Sequence, residues 1–229
     1  MKISELTKLT LDETTIYYPE SDGQPVEETD FHIAVILYLR QALRYVLRQA
    51  EHTYVAANML LYYEEDNPKA VKAPDVFVVK GIPKHDRRTY KLWEEGVAPC
   101  IIFEVTSRST RLEDLGTKRG LYEILRVQEY ILFDPLDEYL VPRLQGFNLI
   151  DGYYQPMVVL PDGTLRSQEL GMILQPEGTL LRVVDPVTGR VVPTMHEAVE
   201  LAQTEAKRAA EAEAELARLR AELARLRGD

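Results

Sequence analysis

Apolar positions recur at helical spacing over residues 31–50, "FHIAVILYLRQALRYVLRQA", with Ile33, Ile36, Leu37, Leu43 and Leu47 in phase. Thr29 and Asp30 are good N-cap types before them, so the pattern predicts a first long helix. "TYVAANMLLYY" then reads as a strand, residues 66–72 with their Asn-Pro as a turn, and "APDVFVV" as a short strand rich in β-branched and aromatic residues. The polar stretch "KGIPKHDRRTYKLWEEG" predicts a loop with one helical turn. Next comes "CIIFEVTSRST", an apolar run reached through Pro99 and left through Ser and Thr, as expected of a strand covered on both faces. "RLEDLGTKRGLYEILR" follows as a helix despite Gly116 and Gly120, each costing up to ~1 kcal/mol relative to Ala.

"EYILFDP" resumes the sheet, and "DGYYQPMVVLPDGTLRS" places two Asp-Gly pairs between apolar runs, a strong hairpin signal. "GTLLRVVDPVTGRVV" predicts one more hairpin around residues 185–189, and Pro193 closes the strand-rich region. The order of elements predicts an α/β domain over residues 1–193, built on a mixed sheet with added antiparallel hairpins.

From Thr194 the composition shifts to Ala, Glu, Leu and Arg. Ala202, Ala209, Leu216 and Leu223 recur every seven residues, and Ala212, Leu219 and Leu226 fill the complementary position. Residues 194–229 therefore form a second unit, a C-terminal helix with a coiled-coil seam. Pairing of two such helices would make a homodimer; a solitary solvated helix is the alternative.

Composition trims the functional field. The 229 residues are 45% hydrophobic, enough for one substantial core. The N-terminal stretch lacks an apolar signal region, and the longest apolar run, "IAVILYL", is far shorter than the about 20 residues of a bilayer span. The expectation is a cytoplasmic protein with no membrane partner. The single cysteine, Cys100, flanks a buried strand and reads as a small core residue. A formal charge of −10 argues against coating nucleic acid through a general basic field, and leaves room for a local contact.

The candidate chemistry starts from Glu104, a carboxylate inside the apolar run "CIIFEV". Period-two alternation turns Glu104 and Ile102 to one face and Ile101, Phe103 and Val105 to the other, and an ionised side chain there is costly unless compensated. Asp75 stands after Pro74 at the mouth of an apolar strand, and Lys118 lies near the centre of the helical stripe Leu115, Lys118, Tyr122, Leu125. Two carboxylates crowded together raise each other's pKa, whereas a dication and a nearby ammonium keep both ionised. Oxygen ligands without Cys or His suit Mg²⁺ or Mn²⁺, ions that support phosphodiester hydrolysis. A bland arrangement is equally open to the residues alone: Asp75 capping a turn, Glu104 paired with Arg119, and Lys118 snorkelling to solvent.

"APDVFVV", "IIFEVTSRSTRLEDLGTKRGLYEILRVQEYILFDP" and "ETDFH" resemble the Uma-type family of endonucleases, a branch of the PD-(D/E)XK, restriction-endonuclease-like superfamily. The likeness runs from about Glu28 through the hairpin region and leaves the tail outside. It implies a restriction-endonuclease-like core and metal-dependent hydrolysis of DNA. It also implies that Asp75 and Glu104 bind Mg²⁺, that the Val105 carbonyl completes the protein ligands, and that Glu28 is the supporting first-helix acid. The superfamily pattern expects Lys two residues after the acid, where this chain has Thr106. The resemblance implies that Lys118 has taken over that amine's role, with Tyr122 one turn further on.

Two other functions stay open: a nuclease-fold protein without activity that binds or assembles through its tail, and a nuclease or phosphatase acting on RNA or nucleotides. Ser107 and Ser109 lack a Gly-x-Ser-x-Gly elbow, and His32, His52, His85 and His196 have no metal-ligand spacing. Residues 84–91, "KHDRRTYK", are the one local basic cluster, suited to a phosphate backbone or simply to a solvated loop.

Overall fold

The computed structural model describes residues 16–21 and 29–227. Helix α1 (Asp30–Val46) begins at an N-cap, Thr29, whose hydroxyl accepts the His32 N–H at 3.3 Å. Twelve strands follow. They are β1 (Thr53–Ala57), β2 (Leu61–Tyr62), β3 (Val71–Lys72), β4 (Val76–Lys80), β5 (Tyr90–Lys91), β6 (Ile101–Val105), β7 (Glu129–Phe133), β8 (Leu144–Ile150), β9 (Tyr153–Pro156), β10 (Leu165–Ser167), β11 (Met172–Glu177) and β12 (Leu180–Val184). Helical turn α2 (Leu92–Glu95) follows β5. Helices α3 (Arg111–Glu113) and α4 (Arg119–Ile124) are joined by a π turn (Asp114–Lys118) and link β6 to β7; α5 (Met195–Arg227) is the tail.

The main sheet has the order β1-β4-β6-β7-β8-β9. All its pairs are antiparallel except β6 with β7, the two strands that the helical connection joins, so the fold is mixed α/β as the sequence predicts. One face carries Val76, Val78, Ile101, Phe103 and Val105 against α1 and the small β10-β11-β12 sheet. The other carries Phe77, Ile102, Tyr130 and Leu132 against Tyr122 of α4 and the β3-β2-β5 sheet. The period-two assignment of Glu104 and Ile102 to a common face is thus met.

Three local expectations need correction. "TYVAANMLLYY" is not one strand: the chain breaks at Asn58, whose φ is 46°, and β1 and β2 go to different sheets. A left-handed residue cannot continue a pleated ladder, and Asn is among the few side chains that tolerate it. In α1, Ile33 and Leu37 face outward, and the buried stripe is His32, Val35, Ile36, Tyr38, Leu39, Ala42 and Leu43. The helix after β6 contains the π turn rather than running as uninterrupted α-helix.

The Asp-Gly signals are sound. Asp151 and Gly152 take φ of 52° and 89° between β8 and β9, the doubly left-handed turn whose twist matches a hairpin. At the tail's root, Thr194 Oγ1 accepts the Glu197 N–H at 3.2 Å and Glu197 accepts the Thr194 N–H at 2.7 Å, a reciprocal capping box. Arg182, buried on β12, donates to the same Glu197 carboxylate at 2.7 Å. The charge-assisted bond to Arg182 holds the Glu197 carboxyl well below its ordinary range, at about 2.

Candidate active site

The register of β4 on β6 pairs Val76 with Phe103, and continuing it by one residue sets Asp75 beside Glu104. Asp75 is buried, and its Oδ2 accepts the Val105 N–H at 2.6 Å, which fixes the acid to the strand that carries Glu104. Nε2 of His32, in the first turn of α1, lies 3.2 Å from the same oxygen.

Glu104 is 1% exposed and is served by the helix that follows its strand. Lys118 Nζ donates to its Oε2 at 2.9 Å, and the Tyr122 hydroxyl donates to its Oε1 at 2.8 Å. A third carboxylate completes the cluster: Asp114, also 1% exposed, with Oδ1 2.9 Å from Lys118 Nζ. The Tyr130 hydroxyl, rising from β7, donates to the Asp114 backbone carbonyl at 3.0 Å and pins the π turn to the sheet. Asp114, Lys118 and Tyr122 are the buried positions of this connection, one every four residues.

Burial pushes the Glu104 carboxyl up to about 8; the Lys118 ammonium opposes this, and the Asp75 and Asp114 charges reinforce it. For Lys118, burial works against the charged form, but Glu104 and Asp114 more than offset it and the amine stays protonated. Desolvation, with Glu104 beside it, keeps the Tyr122 phenol protonated as a donor. Three carboxyl groups against one ammonium leave an excess of two negative charges when all are ionised.

Among the described residues, no three of His, Cys, Asp or Glu converge as a preformed metal cage. The donor set nevertheless fits a hard dication: oxygen atoms of Asp75 and Glu104, in a buried cluster where three carboxyl groups face one ammonium. An ion held by two carboxylates and otherwise by water is the usual situation for Mg²⁺.

The structure therefore gathers Asp75, Glu104, Val105, Lys118 and Tyr122 in one place. Glu28 lies outside the described residues. Arg119 does not pair with Glu104; its guanidinium sits over the Phe147 ring at 4.2 Å. Sequence reasoning missed two groups. Asp114 could have been found from its spacing of four before Lys118 on one helical face. His32 could not, because only the packing of α1 on the sheet brings it to Asp75.

Thr106 lies two residues past Glu104, buried, with its hydroxyl lacking a hydrogen-bond partner. The basic stretch 84–91 is largely committed. Arg87 is bound twice by Glu95, Arg88 meets Glu20, Lys91 meets Glu94, and Lys84 donates to the carbonyls of Leu47 and Arg48.

A mixed sheet that ends in two acids, one strand apart and met by a lysine from the connecting helix, defines a class of α/β proteins with a buried carboxylate–ammonium centre. The family described as "Uma2: Putative restriction endonuclease" matches residues 3–177, and the chain belongs to it. The chain is similar to a crystal structure described as "a putative nuclease belonging to DUF820 from Anabaena variabilis ATCC 29413". That similarity has 13% identity, covers 63% of this chain and 75% of that one, and has a TM-score of 0.46. No curated protein matches the chain. Among the described residues, no helix is long and apolar enough to cross a membrane.

Proposed function

We propose that this member of the family is a divalent-metal-dependent endonuclease that hydrolyses phosphodiester bonds of DNA. The observation that carries it is the 2.9 Å contact from Lys118 to Glu104, inside a buried cluster whose carboxylates outnumber its cation. Asp75 and Glu104 would hold Mg²⁺ or Mn²⁺, with the Val105 carbonyl beside them. When bound, the ion supplies Lewis-acid charge at the phosphoryl oxygens and an acidified water. The protein's own part is to keep both acids in register, to exclude bulk solvent from Glu104, and to place the Lys118 ammonium where negative charge develops. Thr106 stands where the superfamily pattern has its lysine, and the amine would arrive from the π turn instead.

The test is calorimetric titration with Mn²⁺ of the wild type, Asp75→Asn and Glu104→Gln, alongside nicking of supercoiled plasmid, single-stranded DNA and RNA. Binding and DNA cleavage lost together in both variants are expected. Wild-type protein that neither binds Mn²⁺ nor cuts would leave a second reading, a nuclease fold retained as a binding or assembly module. Engagement of both Glu104 oxygens by protein donors favours that second reading. Pairing of tails into a homodimer suits either, given Leu216, Leu219, Leu223 and Leu226 exposed along α5.

A further inference from the structure

We propose that the Lys118 ammonium has two stations, and that Asp114 is the positioning residue that holds it when Glu104 turns its carboxylate to a divalent cation. This rests on the metal-dependent reading above.

The geometry is asymmetric. Lys118 Nζ lies 2.9 Å from both Glu104 Oε2 and Asp114 Oδ1, and Glu104 has a second donor, the Tyr122 hydroxyl. The buried Asp114 carboxylate is met at Oδ1 by that same ammonium. The Tyr130 hydroxyl on the Asp114 backbone carbonyl fastens the π turn that carries this acid to the sheet. Release of Glu104 therefore leaves the ammonium paired, with Asp114 alone. That matters because each Glu104 oxygen already accepts from a protein donor, Lys118 at one and Tyr122 at the other. A cation at Oε2 competes with the ammonium for that oxygen, and an ammonium pushed aside next to a dication needs a carboxylate of its own. Asp114 is that carboxylate, already in reach.

The test follows the Lys118 side-chain ¹⁵Nζ signal by NMR, assigned by its loss in Lys118→Met, while Mg²⁺ is added and binding is measured in parallel by calorimetry. In the wild type, Mg²⁺ shifts the signal and leaves it protected from solvent exchange. In Asp114→Asn the metal-free signal persists, saturating Mg²⁺ broadens it away, and Mg²⁺ affinity falls by about tenfold or more. A wild-type signal unmoved by saturating Mg²⁺ overturns the proposal, and this arm needs no variant to fold. So does an Asp114→Asn protein with wild-type affinity and a protected signal. No Mg²⁺ binding by the wild type sinks the metal reading itself, and the proposal with it.

Discussion

Replacing Glu104 by Gln should stabilise the metal-free protein at alkaline pH while abolishing metal binding. A carboxyl whose pKa is higher folded than unfolded contributes its full stability below the unfolded value and loses it as pH rises toward the folded one. For Glu104 that window runs from 4.5 to about 8. At about 1.4 kcal/mol per pH unit, ionisation works against the folded state by ~5 kcal/mol at most once pH passes 8. Gln has the same shape, can still accept from Lys118, and does not titrate. Lys118 also keeps Asp114 beside it. Allowing for a weaker bond to a neutral acceptor, the variant should exceed wild type by roughly 2–4 kcal/mol at pH 8.5 and lie near it at pH 5. Urea denaturation in chelator at both pH values measures this. Adding Mg²⁺ at a hundred times its Kd should raise wild type by ~2.7 kcal/mol and leave the variant unmoved. An equal loss of stability in Glu104→Gln at both pH values would refute the reasoning, since it would mean that Glu104 is an ordinary packed side chain rather than a destabilised acid.

Other perturbations probe the frame and the tail. A Cβ at Gly146 would meet Leu165 Cδ1 at 2.6 Å and Met157 Sδ at 2.7 Å, so Gly146→Ala should cost ~1–3 kcal/mol by overpacking the junction of the two sheets, read by thermal unfolding. Tyr122→Phe strips one donor from the buried Glu104 carboxylate and should cost ~1.5–3 kcal/mol at pH 8.5 in urea denaturation, with less effect at pH 5. Thr194→Ala removes the capping box and should speed amide exchange in the first turns of α5, at ~1 kcal/mol, with the sheet unchanged. Truncation after Pro193 should take the number of chains per particle from two to one by light scattering; an unchanged number would take the tail out of the assembly.

Much of this was legible in the sequence, for identifiable reasons. An acid in the run "CIIFEV" is conspicuous because its neighbours are apolar, and period-two geometry then dictates its face. Lys118 was visible because a cation in an apolar helical stripe breaks the pattern. Asp114 was hidden: it sits next to Glu113 near a helix start, where acidic residues are ordinary. In α1 the apolar spacing misled because Ile33 and Leu37 fit a helical stripe as well as the truly buried residues do, and His32 and Tyr38 belong to the core. No periodicity reports that His32 meets Asp75, a contact made across more than forty residues of chain.

The junction between Arg182, Glu197 and Thr194 has a mechanical consequence. Because α5 is clamped at its base, its 33 residues form a rod of about 50 Å whose angular phase is inherited from β12. Deleting one residue beyond that clamp would swing the distal leucines about 100° around the axis relative to the Glu104 cluster, whereas deleting seven would nearly restore them. Spacing within the rod, more than its composition, is the dial that sets which way the acid cluster looks when the far end is held.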